Sequence, residues 1–151
     1  MTKRESLLDD SARLMRDFMT YAVLFQDSVA RAAGLTASDL QALGMLINDG
    51  PASPGLLASR TGISAGGGIT QLVDRLESAG FVRRERSATD RRRVVVSPVV
   101  QEVERRVGPL YAQIGAEWQE YLQSLSDEDL QVCVKFMTAA VEINRRHLEH
   151  D

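Results

Sequence analysis

The stretch that most constrains this chain runs from Ser53 to Ser97, SPGLLASRTGISAGGGITQLVDRLESAGFVRRERSATDRRRVVVS. Ser53 caps a short helix with Pro54 at its first position, where a missing N–H does no harm. Leu56, Leu57 and Ala58 are expected to face inward. Thr61-Gly62-Ile63 is a turn, with Gly62 free to take positive φ. Ser64 is expected to cap a second helix, Ala65 to about Ser78. Its apolar positions Ile69, Leu72, Val73 and Leu76 fall at i, i+3, i+4, i+7, one face of a helix. Gly80 ends it. Phe81-Val82 opens a strand, Val94-Val95-Val96 returns, and Ser87 to Arg93 is the loop between them. This is the order of a helix-turn-helix followed by a wing.

The remaining chain reads as long helices on either side. From about Ser6 to Ala33, Leu8, Met15, Ala22 and Val29 recur every seven residues, and Ser11, Phe18, Phe25 and Ala32 repeat the period three residues later. Leu14 and Tyr21 widen the stripe, so the helix needs partners on more than one side. It is either packed within one subunit or shared between two. Gly34 ends it. Thr36 and Asp39 form a T-x-x-D capping pattern for a helix carrying Leu40, Leu43, Met45, Leu46 and Ile47, expected to be buried, and Asn48-Asp49-Gly50-Pro51 stops it. Ser97-Pro98 is expected to restart helix, with Val99, Val103, Val107, Leu110, Ile114, Trp118, Tyr121 and Leu125 in one stripe and a kink at Gly108-Pro109. Ser126 and the acids Asp127, Glu128 and Asp129 open the last helix, whose stripe is Leu130, Val134, Met137, Val141 and Leu148, interrupted by Asn144. The expected fold is mainly α with a small β-hairpin: a winged helix-turn-helix with long N- and C-terminal dimerisation helices, about six helices in all. Residues 1–151 form a single domain, with the head at 36–97 and the dimerisation helices at 6–33 and 98–148.

Charge places the contact surface. The whole chain carries −3, which alone argues against a polyanionic partner. From Arg83 to Arg93, however, six arginines stand against Glu85 and Asp90, a local +4 that leaves −7 on the rest. A polarised molecule of this kind meets a polyanion through its basic segment. One cysteine, Cys133, rules out an intramolecular disulfide and fits a reducing cytosol. MTKRESLLDD shows no secretory signal, and no run approaches the roughly 20 apolar residues of a membrane span, so a cytoplasmic protein without a membrane partner is expected.

A helix-turn-helix reads DNA because its second helix fits the major groove. The exposed positions here are Ser64, Ala65, Gly66, Gly67, Gly68, Thr70, Gln71, Asp74 and Arg75. Thr70 and Gln71 suit base edges, Arg75 a backbone phosphate, and Ser64 with the N–H groups of the helix start another phosphate. The glycine triplet costs roughly 1 kcal/mol per residue relative to alanine. It either allows close backbone approach to DNA, or ordering on binding, or simply marks a turn that makes few base contacts. In the loop, Asp90-Arg91-Arg92-Arg93 offers an arginine to a narrow minor groove, with Asp90 placed to hold the Arg92 fork. Arg83, Arg84 and Arg86 on the outgoing strand are expected near phosphates. A basic run is otherwise a solvated face, but this one follows a helix-turn-helix at hairpin distance.

The segments LTASDLQALGMLINDG, LASRTGIS and ITQLVDRLESAGFVRRERSATDRR resemble the MarR family of winged-helix transcriptional regulators. The resemblance covers nearly the whole chain. It is most specific at Val73-Asp74-Arg75-Leu76, at Gly80-Phe81-Val82-Arg83-Arg84, and at Asp90 and Arg92. It implies that Arg92 is the wing-tip residue of the minor groove, paired with Asp90. It also implies a homodimer formed through the first and last helices, a pseudopalindromic operator of double-stranded DNA, and release by a small aromatic or phenolic effector or an oxidant. The chain departs from the family pattern at Gly66-Gly67-Gly68, at Gln71, where a basic residue is common, and at Ser97-Pro98, in place of leucine-threonine.

Other residues carry weaker signals. Tyr21, Phe25, Met45, Trp118 and Tyr121 either line a ligand cleft between the dimer arm and the head or are ordinary core. Cys133 is either a redox sensor or, as its surroundings favour, a buried structural cysteine. His147, Glu149 and His150 suggest a metal cluster but stand at a chain end, where such residues are commonly solvated. No nucleophile–base pair and no phosphate-cradling loop is present, so neither an enzyme nor a cofactor or metal is expected. The expected function is a homodimeric, sequence-specific transcriptional regulator, a repressor released by a ligand. The alternatives are a winged-helix protein-interaction module, with the basic loop on an acidic partner, and a redox-responsive regulator.

Overall fold

A computed structural model describes residues 1–148. The elements in order are α1 (Lys3–Ala32), α2 (Ala37–Asp49), α3 (Pro54–Thr61), α4 (Gly67–Ser78), β1 (Val82–Arg86), β2 (Val94–Pro98), α5 (Val100–Arg106), α6 (Gly108–Gln123) and α7 (Asp127–Leu148). This is the winged helix-turn-helix order, with seven helices among the described residues rather than six. The extra one arises at Val107, where the expected kink is a full break between α5 and α6. Pro109 has no N–H for the carbonyl four residues back, and Gly108 resists helix, so the chain ends one helix and starts another.

Local signals explain most boundaries. Thr36 and Asp39 form a reciprocal capping box at α2, with the Asp39 N–H donating to Thr36 Oγ1 and the Thr36 N–H to Asp39 Oδ2, each 3.1 Å. Ser53 and Ser126 each accept the N–H three residues on. Gly62, between α3 and α4, sits at φ +72°, and Gly80 after α4 at φ +85°. At Gly80 the Phe81 N–H reaches back to the Leu76 carbonyl and the Gly80 N–H to Glu77, closing the helix and turning Phe81 into the core.

Two expected starts are wrong. Ser64 makes no side-chain cap, and α4 begins at Gly67 with Gly66 before it. The glycines weaken the first turn, so residues 65–66 form a turn outside the helix. Ser97 and Pro98 do not restart helix. They extend β2, paired in antiparallel register with Arg83 and Val82. Ser97 Oγ donates across the pair to Glu85 at 3.4 Å, and Pro98 closes the strand where no further N–H is needed. Ala52, between α2 and α3, also pairs with Val96 through two hydrogen bonds of 3.1 and 2.8 Å, so β2 is bonded on both edges.

The core lies within the head. Its buried residues run from Val29 to Val107 and include Leu40, Leu43, Leu46, Leu57, Ile69, Leu72, Val73, Leu76, Phe81, Val82 and Val96. All four apolar positions predicted for the recognition helix are inside, whereas Leu56 and Ile47, expected inside, are exposed. The arms differ. In α1 only Val29 and Ala30 are buried, and α6 and α7 have no buried residue. Phe18, Tyr21, Leu24, Val134, Met137 and Val141 are all exposed. Among the described residues no helix is long and apolar enough to cross a membrane.

Candidate nucleic-acid interface

Burial of Ile69, Leu72, Val73 and Leu76 turns the opposite face of α4 outward. Thr70, Gln71, Asp74 and Arg75 are exposed there, as are Ser64, Ala65, Gly66 and Gly67 in and before the first turn. Thr70 Oγ1 donates to the Gly66 carbonyl at 3.2 Å, which ties the first turn together. The glycines are not equivalent. A Cβ on Gly68 would stand 2.7 Å from Ser64 Oγ and 3.1 Å from Ile63 Cγ2, whereas Gly66 and Gly67 face open space. Gly68 therefore lets the turn fold back against the helix, and Ser64 packs on it instead of capping.

The wing loop is braced from within. The Asp90 carboxylate accepts the Arg92 backbone N–H at 3.0 Å, and the Arg93 N–H donates to the Asp90 carbonyl at 3.0 Å. The side-chain ion pair of Asp90 is with Arg93, at 3.7 Å, so the expected grip on the Arg92 fork is not made. Two residues apart in a tight loop, the carboxylate reaches the backbone of Arg92 before its guanidinium. Arg86 Nη1 donates to the Arg91 carbonyl at 3.0 Å. Among the described residues the guanidinium groups of Arg83, Arg86, Arg91 and Arg92 have no carboxylate partner and stand exposed. These are the cations of the wing that a polyanion meets unneutralised.

Two other arginines are tied to carboxylates of the head. Arg75 Nη2 donates to Asp39 Oδ1 at 2.8 Å, and its Nε lies 3.3 and 3.4 Å from the two carboxylate oxygens. The Asp39 side chain is only 3% exposed and that of Arg75 48%. The hydrogen bond to Asp39 raises the Arg75 pKa above the ordinary arginine value. Arg84 Nη2 donates to Asp74 Oδ1 at 2.6 Å and its Nη1 to Glu77 Oε1 at 2.9 Å, while its backbone N–H donates to Glu77 Oε2 at 2.9 Å. Burial opposes the Arg84 charge, yet the two carboxylates outweigh it and the pKa is raised. The same backbone and guanidinium donors hold the Glu77 carboxyl below its usual range. Sequence reasoning missed Asp39 and Glu77 as partners: Asp39 read as a cap, and its second partner lies 36 positions away. Arg106 was missed too. It donates to the Ala79 carbonyl at 2.5 Å and lies 4.0 Å over the Phe81 ring, closing the end of α4.

The five aromatic and methionine positions do not converge. A groove of about 1400 Å³ between the arms and the head is lined by Met45 and Trp118, together with Met15, Phe18, Met137 and Arg60. Tyr21, Phe25 and Tyr121 do not line it. Tyr21 points to solvent, Phe25 packs edge-on against Tyr111 at 5.6 Å, and Tyr121 stands edge-on to Trp118 at 6.3 Å. Cys133 is half-buried rather than buried. His147 is hydrogen-bonded to the Ile143 carbonyl at 2.8 Å, while Glu149 and His150 lie outside the described residues.

Comparison with known proteins adds four findings. A family model described as MarR family matches residues 33–93, essentially the head. The HTH-type transcriptional regulator YcgE of Bacillus subtilis is 34% identical over 97% of this chain and 94% of its own length. Among solved structures, a MarR family protein from Bacillus stearothermophilus is 21% identical with a TM-score of 0.69, covering 94% of this chain and 96% of that one. A MarR family transcriptional regulator from Streptomyces coelicolor, solved in complex with DNA, is 25% identical with a TM-score of 0.54, covering 94% of this chain and 92% of that one.

Proposed function

Because this chain belongs to the MarR family of transcriptional regulators, we propose that it acts as a homodimeric, sequence-specific DNA-binding repressor. In this reading residues 1–151 are one domain, 36–97 the DNA-binding head, and 6–33 with 98–148 the dimerisation helices. The exposed face of α4, with Thr70 and Gln71, enters a major groove, and Arg92 at the wing enters the flanking minor groove. Ser64, Ala65, Gly66 and Gly68 bring backbone close to a phosphate, and Arg86, Arg91 and Arg93 support the wing around it. Two heads related by a twofold axis require a pseudopalindromic operator with half-sites about 34 Å apart, one turn of DNA. The carrying observation is the wing: Arg91 and Arg92 are exposed and unneutralised beside a helix whose outer face is polar. The groove beside Met45 and Trp118 supports an effector of the aromatic or phenolic class, whose binding would release the operator.

The test is binding to DNA from upstream of the chain's own gene, followed by fluorescence anisotropy across a salt series. The parent binds specifically, and Arg92→Ala binds about tenfold more weakly with a flatter salt dependence. An Arg92→Ala variant that matches the parent removes the wing assignment. No retardation of DNA at any salt concentration removes the DNA-binding reading and leaves the basic wing to an acidic protein partner.

A further inference from the structure

We propose that Arg84 is a positioning residue that sets the angle between the wing and the recognition helix, and that it does not bind phosphate. The proposal rests on the docking of α4 and the wing described above. Arg84 sits on β1, opposite Val96. Its guanidinium spans Asp74 and Glu77, three residues apart on the outer face of α4, and also approaches the Thr70 carbonyl at 3.5 Å. Glu77 grips the same residue twice, through its side chain and its backbone N–H, so both strand and helix are held by one carboxylate.

Charge supports this assignment. Arg84, Asp74 and Glu77 together carry one net negative charge, which repels a phosphate. The Arg84 side chain is 28% exposed, against 80% for Arg93. A phosphate contact needs an available fork, and this one is already engaged on both arms. Two acids on the outer face of a recognition helix weaken attraction to DNA, and their geometry accounts for them as anchors of the wing. If the wing swings relative to α4, either the helix or Arg92 loses its groove, because the two must enter together.

The experiment compares the parent with Glu77→Gln, Arg84→Lys, the double variant of these two, and Arg84→Ala, by anisotropy over a salt series and by hydroxyl-radical footprinting on the same operator. Arg84→Lys keeps the charge but not the planar fork that bridges two carboxylates. Positioning predicts that Glu77→Gln and Arg84→Lys each weaken binding roughly two- to fivefold. The double variant is then no weaker than the worse single one, since both break the same link. The salt slope stays at the parental value, and protection of the flanking sugars beside the wing fades before that of the sugars at the half-site centre. A phosphate role predicts the opposite signs. Glu77→Gln would then free the arginine and tighten binding, and Arg84→Ala would flatten the log–log salt slope by about 0.9. Either result overturns the proposal, as does an affinity loss that tracks unfolding in parallel thermal melts. A parent that binds no DNA overturns the docking reading itself, whereas a binding parent with a tightened Glu77→Gln variant overturns this inference alone.

Discussion

One carboxylate, that of Asp39, joins the start of α2 to α4. It accepts the Thr36 N–H at the start of α2 and two donors of Arg75 from α4, while almost wholly buried. A buried carboxylate without its cation costs more than the loss of the pair as a whole. Arg75→Ala should therefore lower stability by about 1–3 kcal/mol, toward the lower end because the arginine itself is half exposed to screening water. The double variant Asp39→Asn with Arg75→Ala should be no less stable than Arg75→Ala alone. Chemical denaturation of the two single variants and the double variant measures this. Full additivity would show that the two side chains do not act together. The T-x-x-D spacing made the cap legible in the sequence. The ion pair was not, since a separation of 36 residues leaves no local pattern.

The recognition element shows how three identical residues come to differ. Gly67 opens α4 facing open space, and Gly68 faces Ser64 and Ile63. Gly67→Ala should stabilise the protein by up to about 1 kcal/mol, because alanine suits a helix better. Gly68→Ala should lose that gain, since its methyl must displace Ser64 Oγ and press on Ile63. Equal shifts of melting temperature for the two variants would contradict the packing described. The inner face of this helix was readable from the i, i+3, i+4, i+7 spacing. Its start was not, because Ser64 has the chemistry of a cap and only the backbone path decides whether it is used as one.

At the scale of the molecule, the head is closed and the arms are open. Phe18 and Trp118 meet edge-on at 6.3 Å, but α7 has no buried residue, and Val134, Met137 and Val141 of its stripe are left exposed. An apolar surface of this extent on a helical arm is the kind that pairs with a second copy. The proposed dimer predicts that Val141→Glu sediments as a monomer at concentrations where the parent is a dimer, and that it binds a full operator no better than a half-site. A parent that sediments as a monomer throughout that range would remove the dimer from the reading.

The sequence by itself determined what is local. Helical periodicity marks the inner faces, glycines and prolines mark the ends, and a dense arginine run marks the wing, each within a turn or two of chain. That was enough for the helix-turn-helix, the hairpin and the family resemblance. Tertiary structure alone decided which arginines are committed to carboxylates and which remain available. It also decided that Ser97 continues a strand, since its partners lie across the hairpin, and that Ala52 adds a further bridge. Ion pairs and strand register depend on distances between segments far apart in the chain, and those distances exist only once the core from Val29 to Val107 has closed. The basic wing was visible as charge, and folding divided it into arginines that brace the head and arginines left facing outward.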